Sequence, residues 1–134
     1  VSPAVYLVDT SALARIYRAP EGCEEWDQAL VHGTIAVCPI TELEFLYGAR
    51  SEAHRETMVG LLNRMLLPVD LADEHFARAW EVQRLLTGRG EHRSAGPVDL
   101  LVAACAESHG LTLPHNDDDF ETIARVTRQK VRRV

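Results

Sequence analysis

The stretch AVYLVDTSAL, residues 4–13, decides how this chain folds. Ala4 to Val8 form a short apolar run without polar alternation, as a strand covered on both faces requires. Asp9 and Thr10 follow at once, and either can cap a helix. The residues after them keep helical spacing. The unit is strand, then helix, with an acid at the junction.

The same grammar recurs along the chain. TIAVCP (34–39) is an apolar run entering a helix over ITELEFLYGARS (40–51). LPVD (67–70) precedes DEHFARAWEVQRLLTG (73–88), whose helical periodicity ends at Gly88. Further helices are expected over 23–33 and 54–68. Pro97 opens a strongly apolar helix over VDLLVAACAESHG (98–110), and Gly110 stops it. LTLP (111–114) reads as a fourth strand, DFETIARV (119–126) as a short last helix, and the tail as an edge strand. Strands that alternate with helices and read as continuous apolar runs predict a mostly parallel central sheet between helical layers, an α/β/α sandwich. A length of 134 residues, without repeat or low-complexity linker, is expected to form one domain over 1–134.

A hydrophobic share of 46% and a charged share of 25% place the chain among ordinary globular proteins. No apolar stretch approaches the ~20 residues of a membrane span. The first residues carry no basic n-region or cleavage site, so a cytoplasmic setting is expected. Cys23, Cys38 and Cys105 have no CxxC spacing, and Cys38 and Cys105 sit in apolar runs, so no disulfide framework is expected. The net charge of −6 argues against broad electrostatic affinity for nucleic acid. The bases are nonetheless grouped, around TGRGEHRSAG and in the tail from Arg128 to Arg133.

In an open parallel sheet, sites form beyond the carboxyl ends of the strands. Asp9 follows the first strand, Glu42 and Glu44 start the helix after the second, Asp99 starts the helix at Pro97, and Asp117 follows the fourth strand. Each has an ordinary explanation, as a cap, a solvated helix residue or a partner of the helix dipole. Those explanations do not predict that separate segments deliver their carboxylates to one edge in apolar surroundings. Buried carboxylates need a compensating partner, and the only lysine, Lys130, lies far along a basic tail. A divalent cation meets the need. Oxygen ligands without a His pair or Cys set favour Mg²⁺, or Mn²⁺ in its place, over Zn²⁺. His32, His54, His75, His92 and His109 read as surface or packing residues, and His115, near the acids, stays open between a turn residue and a part in the site.

Asp9 in VDTSAL, Glu44 in TELEFLYG, Asp99 in PVDLLVAACA and the acids of HNDDDF together resemble the PIN domain, specifically the VapC-type toxins of bacterial toxin–antitoxin pairs. The resemblance runs the length of the chain. It implies a PIN-like fold and a Mg²⁺-dependent endoribonuclease, with tRNA or rRNA as substrate, a VapB-type antitoxin as inhibitor and a homodimer as the assembly. It assigns Asp9, Glu44, Asp99 and Asp117 as catalytic acids, Asp9, Asp99, Asp117 and Asp119 as metal ligands, and Ser11 as an accessory hydroxyl that helps hold Asp9 or a metal-bound water. Leu43 stands where the family often has Ala, without disturbing the acids. Carboxylate-held Mg²⁺ lowers the pKa of water enough to supply hydroxide, and in-line attack on the phosphate would leave 5′-phosphate and 3′-hydroxyl ends. Arg89 and Arg93, together with the basic C-terminal tail, are the candidates for guiding the RNA backbone past the acids.

Two other readings compete. A phospho-acceptor receiver domain shares the sheet and the acidic pocket but needs a nearby lysine and paired acids after the first strand. A non-catalytic PIN-like scaffold would be expected to lack one of the acids, and none is missing. Within HNDDDF, a segment leaving the strand extended alternates its side chains. Asp117 and Asp119 would then face the metal, with Asp119 also capping the last helix, and Asp118 would face solvent.

Overall fold

The computed structural model describes residues 4–18 and 24–134. Cys23 lies outside them. The elements run β1 (Tyr6–Leu7), α1 (Thr10–Arg18), α2 (Glu24–Val31), β2 (Ile35–Val37), α3 (Pro39–Tyr47), α4 (Glu52–Met65) and β3 (Leu67–Pro68). They continue with α5 (Asp73–Gly88), α6 (Pro97–Ser108), β4 (Leu113–His115), α7 (Asp118–Thr127) and β5 (Val131–Arg133).

All the strand pairs are parallel. β1 pairs with β2 and β2 with β3, while β4 pairs with β5. The two ladders join where Tyr6 bridges Thr112 and the Leu7 N–H donates to the Thr112 carbonyl at 3.0 Å. The order across the joined sheet is therefore β3-β2-β1-β4-β5. Chain order runs outward in both directions from the β1–β4 seam. Such a seam is a topological switch point, where the connections from neighbouring strands leave to opposite faces and open a crevice.

Pleating sends successive side chains to opposite faces, and here both faces are dry. Val8, Ile35 and Val37 pack with Leu13, Phe45, Met58 and Leu62 beneath α1–α4. Leu7, Ala36 and Leu113 pack with Val82, Leu86, Val102, Phe120 and Ile123 beneath α5–α7. The strands are short, so helix packing carries most of the apolar burial. α6 shows it best: Leu100 and the run Val102 to Ala106 are all buried. Its small residues let it lie close against the sheet.

Two local features aim the crevice. Pro97 holds the first position of α6, which fixes Asp99 in the first turn. Gly110 adopts φ +67, a conformation costly for a side-chain-bearing residue, and so turns α6 directly into β4.

Candidate metal-binding acidic site

Asp9 is the most deeply placed acid, 4% exposed at the end of β1. Its carboxylate caps α1. Oδ1 accepts the Ala12 N–H at 2.9 Å, and Oδ2 accepts the Ser11 N–H at 3.2 Å and the Ser11 hydroxyl at 2.6 Å. Burial holds its carboxyl above the ordinary aspartate range, against the pull of these hydrogen bonds and of the nearby His115. The Ser11 oxygen in turn accepts the backbone N–H of Asn116 at 3.0 Å. One hydroxyl thus ties the end of β1 to the end of β4 across the switch point.

That tie yields a prediction. Ser11→Ala should lower metal affinity about 10–100-fold, the scale of losing a partner that orients a metal ligand. Ser11→Thr should restore much of it. A Mg²⁺ titration of any metal-dependent signal reads both.

The Asp117 segment is not extended as the sequence predicts. β4 ends at His115, Asp117 becomes the N-cap, and Asp118 and Asp119 are already helical. Asp117 Oδ1 accepts the Asp119 N–H at 2.9 Å, so Asp117 caps α7, not Asp119. The two carboxylates are brought together by a capping turn rather than by strand alternation. Asp118 is exposed, as expected, but it is not free in solvent: it forms an ion pair with Arg133 of β5.

Asp99, Asp117 and Asp119 each offer a carboxylate oxygen within 4.8 Å of the others. Asp99 suffers most from the arrangement. Its carboxyl is pushed up to about 6, first by burial and then by the charges of Asp117, Asp119 and Asp9. A hydrogen bond with the Gly96 backbone relieves it only in part. Asp119 is also raised, by burial first and by Asp117 next. Asp99, Asp117 and Asp119 therefore gather at one point, the charge of Asp9 bears on Asp99, and the Gly96 hydrogen bond offsets that repulsion only in part. A hard divalent cation fits this all-oxygen donor set.

Glu44 stands apart. It is exposed on α3, and the Thr10 hydroxyl donates to its Oε1 at 2.6 Å. Thr10, between Asp9 and Ser11, is what links Glu44 to the aspartates. Glu42 is half-buried, and desolvation raises its carboxyl. Arg89 is held by Glu91 at 2.7 Å, and Arg125 closes on the same carboxylate at 3.2 Å. Arg93 is exposed.

His115 is no turn residue but a fully buried member of β4. Its Nδ1 accepts the Asp117 N–H at 3.2 Å, which leaves the proton on Nε2 to donate to Glu121 Oε1 at 3.0 Å. The ring thereby fixes the turn that presents Asp117. Only the unusual placement of a histidine inside a strand ending in acids could have hinted at this.

A second cluster, His75, Cys105 and His109, also gathers potential ligand atoms within 4.8 Å. His75 Nδ1 accepts the Ala72 N–H at 2.9 Å, so in the neutral ring Nε2 carries the proton. Neither nitrogen then offers a free lone pair to a cation.

Comparison with known proteins agrees with this architecture. Residues 6–126 match the family model of the PIN domain. Ribonuclease VapC21 of Mycobacterium tuberculosis is 41% identical over 126 residues, covering 94% of this chain and 91% of the relative. Ribonuclease VapC2 of the same species is 39% identical, covering 96% and 92%. Among solved structures, a chain of Rickettsia felis VapBC2 bound to a promoter DNA fragment superposes with a TM-score of 0.81 at 18% identity, covering 97% of this chain and 98% of that one. A chain of DNA-bound VapBC from Salmonella typhimurium gives 0.76 at 21% identity, covering 97% and 98%. The chain belongs to the PIN-domain family, and within that family to the VapC ribonucleases.

Proposed function

We propose that the chain is the endoribonuclease toxin of a VapBC-type pair, hydrolysing phosphodiester bonds of a structured RNA such as tRNA or rRNA with Mg²⁺ at the acidic site. The observation that carries this reading is the gathering of Asp99, Asp117 and Asp119, with carboxylate oxygens within 4.8 Å of one another, beside Asp9 at the switch point of a parallel sheet. Asp9, Asp99, Asp117 and Asp119 would hold the ion, with Mn²⁺ able to take its place. The bound ion supplies Lewis acidity, lowering the pKa of water and neutralising charge that builds on a phosphate.

The residues themselves do the rest. Ser11 and the Ala12 N–H orient Asp9, while His115 and the capping turn orient Asp117. Glu44, which is exposed and accepts the Thr10 hydroxyl, would take up a proton at the rim. Arg93, which is exposed, is available to a passing backbone, whereas Arg89 must first leave Glu91. The partner would be a VapB-type antitoxin, in keeping with the VapBC structures among the structural neighbours. A homodimer would cover the apolar surface formed by Phe76 and Trp80, which are 52% and 70% exposed on α5 beside Pro97 and Leu101.

The test is to incubate the protein with total RNA and Mg²⁺ and map the new 5′ ends, then repeat with Asp9→Ala and Asp99→Ala. Discrete new 5′-phosphate ends are expected from the wild type alone. Equal cleavage by wild type and variants would sink the mechanism.

A further inference from the structure

Beside the acids lies a cavity of about 440 Å³ between α1, α3 and α4. Its near wall is Thr10 and Glu44, joined by their 2.6 Å hydrogen bond. Thr10 sits between Asp9 and Ser11 in sequence, and consecutive Cα atoms are about 3.8 Å apart. The cavity therefore opens next to the acidic site and not at a remote face.

Its lining has two characters. Phe45 and Met58 are buried and give an apolar floor. Tyr17 and His54 give a polar edge. The Tyr17 ring stands edge-on to Phe45, with centroids 5.4 Å apart. His54 Nδ1 accepts the Arg50 N–H at 3.0 Å, which puts the proton of the neutral ring on Nε2. That nitrogen lies 3.5 Å from the Tyr17 hydroxyl, too far to saturate either group. Both keep hydrogen-bonding capacity for a guest. The Arg50 guanidinium belongs to an exposed residue of the same lining.

An apolar floor, an aromatic wall, an unsaturated donor–acceptor edge and a neighbouring arginine are the parts that recognise an unpaired base of a single-stranded nucleic acid. The volume lies within the range of small-molecule pockets. Resting on the proposed ribonuclease reading, we infer that this cavity receives one unstacked base of the RNA, in the nucleotide flanking the phosphate held at the acids. Tyr17 and His54 read the edge of that base, and Arg50 meets the adjoining phosphate. Such a slot makes cleavage depend on the base beside the cut, and it favours loops over duplex, where bases stay stacked.

The test is a binding measurement, so it does not depend on turnover. A fluorescent single-stranded RNA hexamer is compared with its abasic versions, one position at a time, with Ca²⁺ in place of Mg²⁺. At one position the abasic substitution should weaken binding to the wild type about tenfold, the scale of losing one stacked base. Tyr17→Ala should bind the intact and abasic RNAs within twofold of each other. Ala14→Phe, which fills the cavity while leaving its polar edge in place, should do the same. His54→Gln should change which of the four bases binds best there. Thermal melts of each variant establish that it is folded.

The inference is overturned if no abasic position matters to the wild type, or if the same positions matter equally to the variants. It is also overturned if the variants lose affinity for an antitoxin polypeptide while keeping the wild-type abasic profile, since the cavity would then be a peptide site. The absence of RNA cleavage alongside an intact base slot would reject the proposed reaction and leave the slot. Cleavage without a slot would reject only the slot.

Discussion

Asp99→Asn is expected to abolish Mg²⁺-dependent RNA cleavage and, at the same time, to stabilise the metal-free protein. Activity should fall about 10²–10³-fold, the scale of removing one preorganised electrostatic contact from an active site. Stability should move the other way, because the native carboxylate is held against its neighbours. Its carboxyl stands at about 6, raised by burial and by Asp117, Asp119 and Asp9. An acid raised in the folded state favours folding below its unfolded pKa of ~3.9, and that contribution is lost as pH rises through the folded value. The wild type without metal should therefore lose stability between about pH 4 and pH 6–7. The loss should be on the order of 1–2 kcal/mol once partial solvent screening is allowed for.

The amide has no such titration, so the variant should melt a few degrees higher than the wild type at pH 8 in EDTA. At pH 4 the difference should close. Added Mg²⁺ should raise the wild-type melting temperature, as any ligand of the native state does, and should raise that of the variant far less. A variant that melted lower at pH 8 and still cut RNA at the wild-type rate would show that Asp99 is an ordinary helix-start residue. Tension between stability and activity is common where a site gathers like charges for a ligand.

The second large effect separates neighbours in one run of sequence. Asp117→Ala should lose most cleavage and also about 0.5–2 kcal/mol of stability, because it removes both a metal ligand and the cap of α7. Asp117→Asn distinguishes the two roles. Asparagine caps a helix about as well as aspartate, so folding should be kept while cleavage stays about 10²-fold down. Asp118→Ala removes only an exposed ion pair with Arg133, worth roughly 0–1 kcal/mol, and should leave cleavage within about twofold of the wild type. Single-turnover rates and thermal melts of the three variants check all of this. Equal loss in Asp118→Ala would mean that Arg133 and β5 take part in holding the site.

Much of this was legible in the residues because local rules carried it. Apolar runs entering capped helices located β1, β2 and β4, and Pro97 and Gly110 bracketed α6. The edge rule for parallel sheets then brings Asp9, Asp99 and Asp117 to one place from the order of the elements alone. Where the reading went astray, a longer-range contact had won. Extended geometry past β4 was a fair expectation, but the Asp117 side chain bonded the Asp119 N–H and began α7 early. His115 could be read as a turn residue because nothing local marks a histidine whose two nitrogens are satisfied by Asp117 and Glu121.

By itself, the sequence determined the strand–helix alternation, the burial of both sheet faces and the edge on which the acids gather, since these follow from periodicity and capping within a few residues. Only the tertiary structure decided the rest. It brought Ser11 against Asn116, 105 residues away, let Thr10 reach Glu44, and opened a cavity between α1, α3 and α4 beside the acids. The first depends on how the two ladders join at the β1–β4 seam, and the others on how α1 packs against α3 and α4 over the first ladder. Such pairings link residues far apart in the chain, and no local preference encodes them.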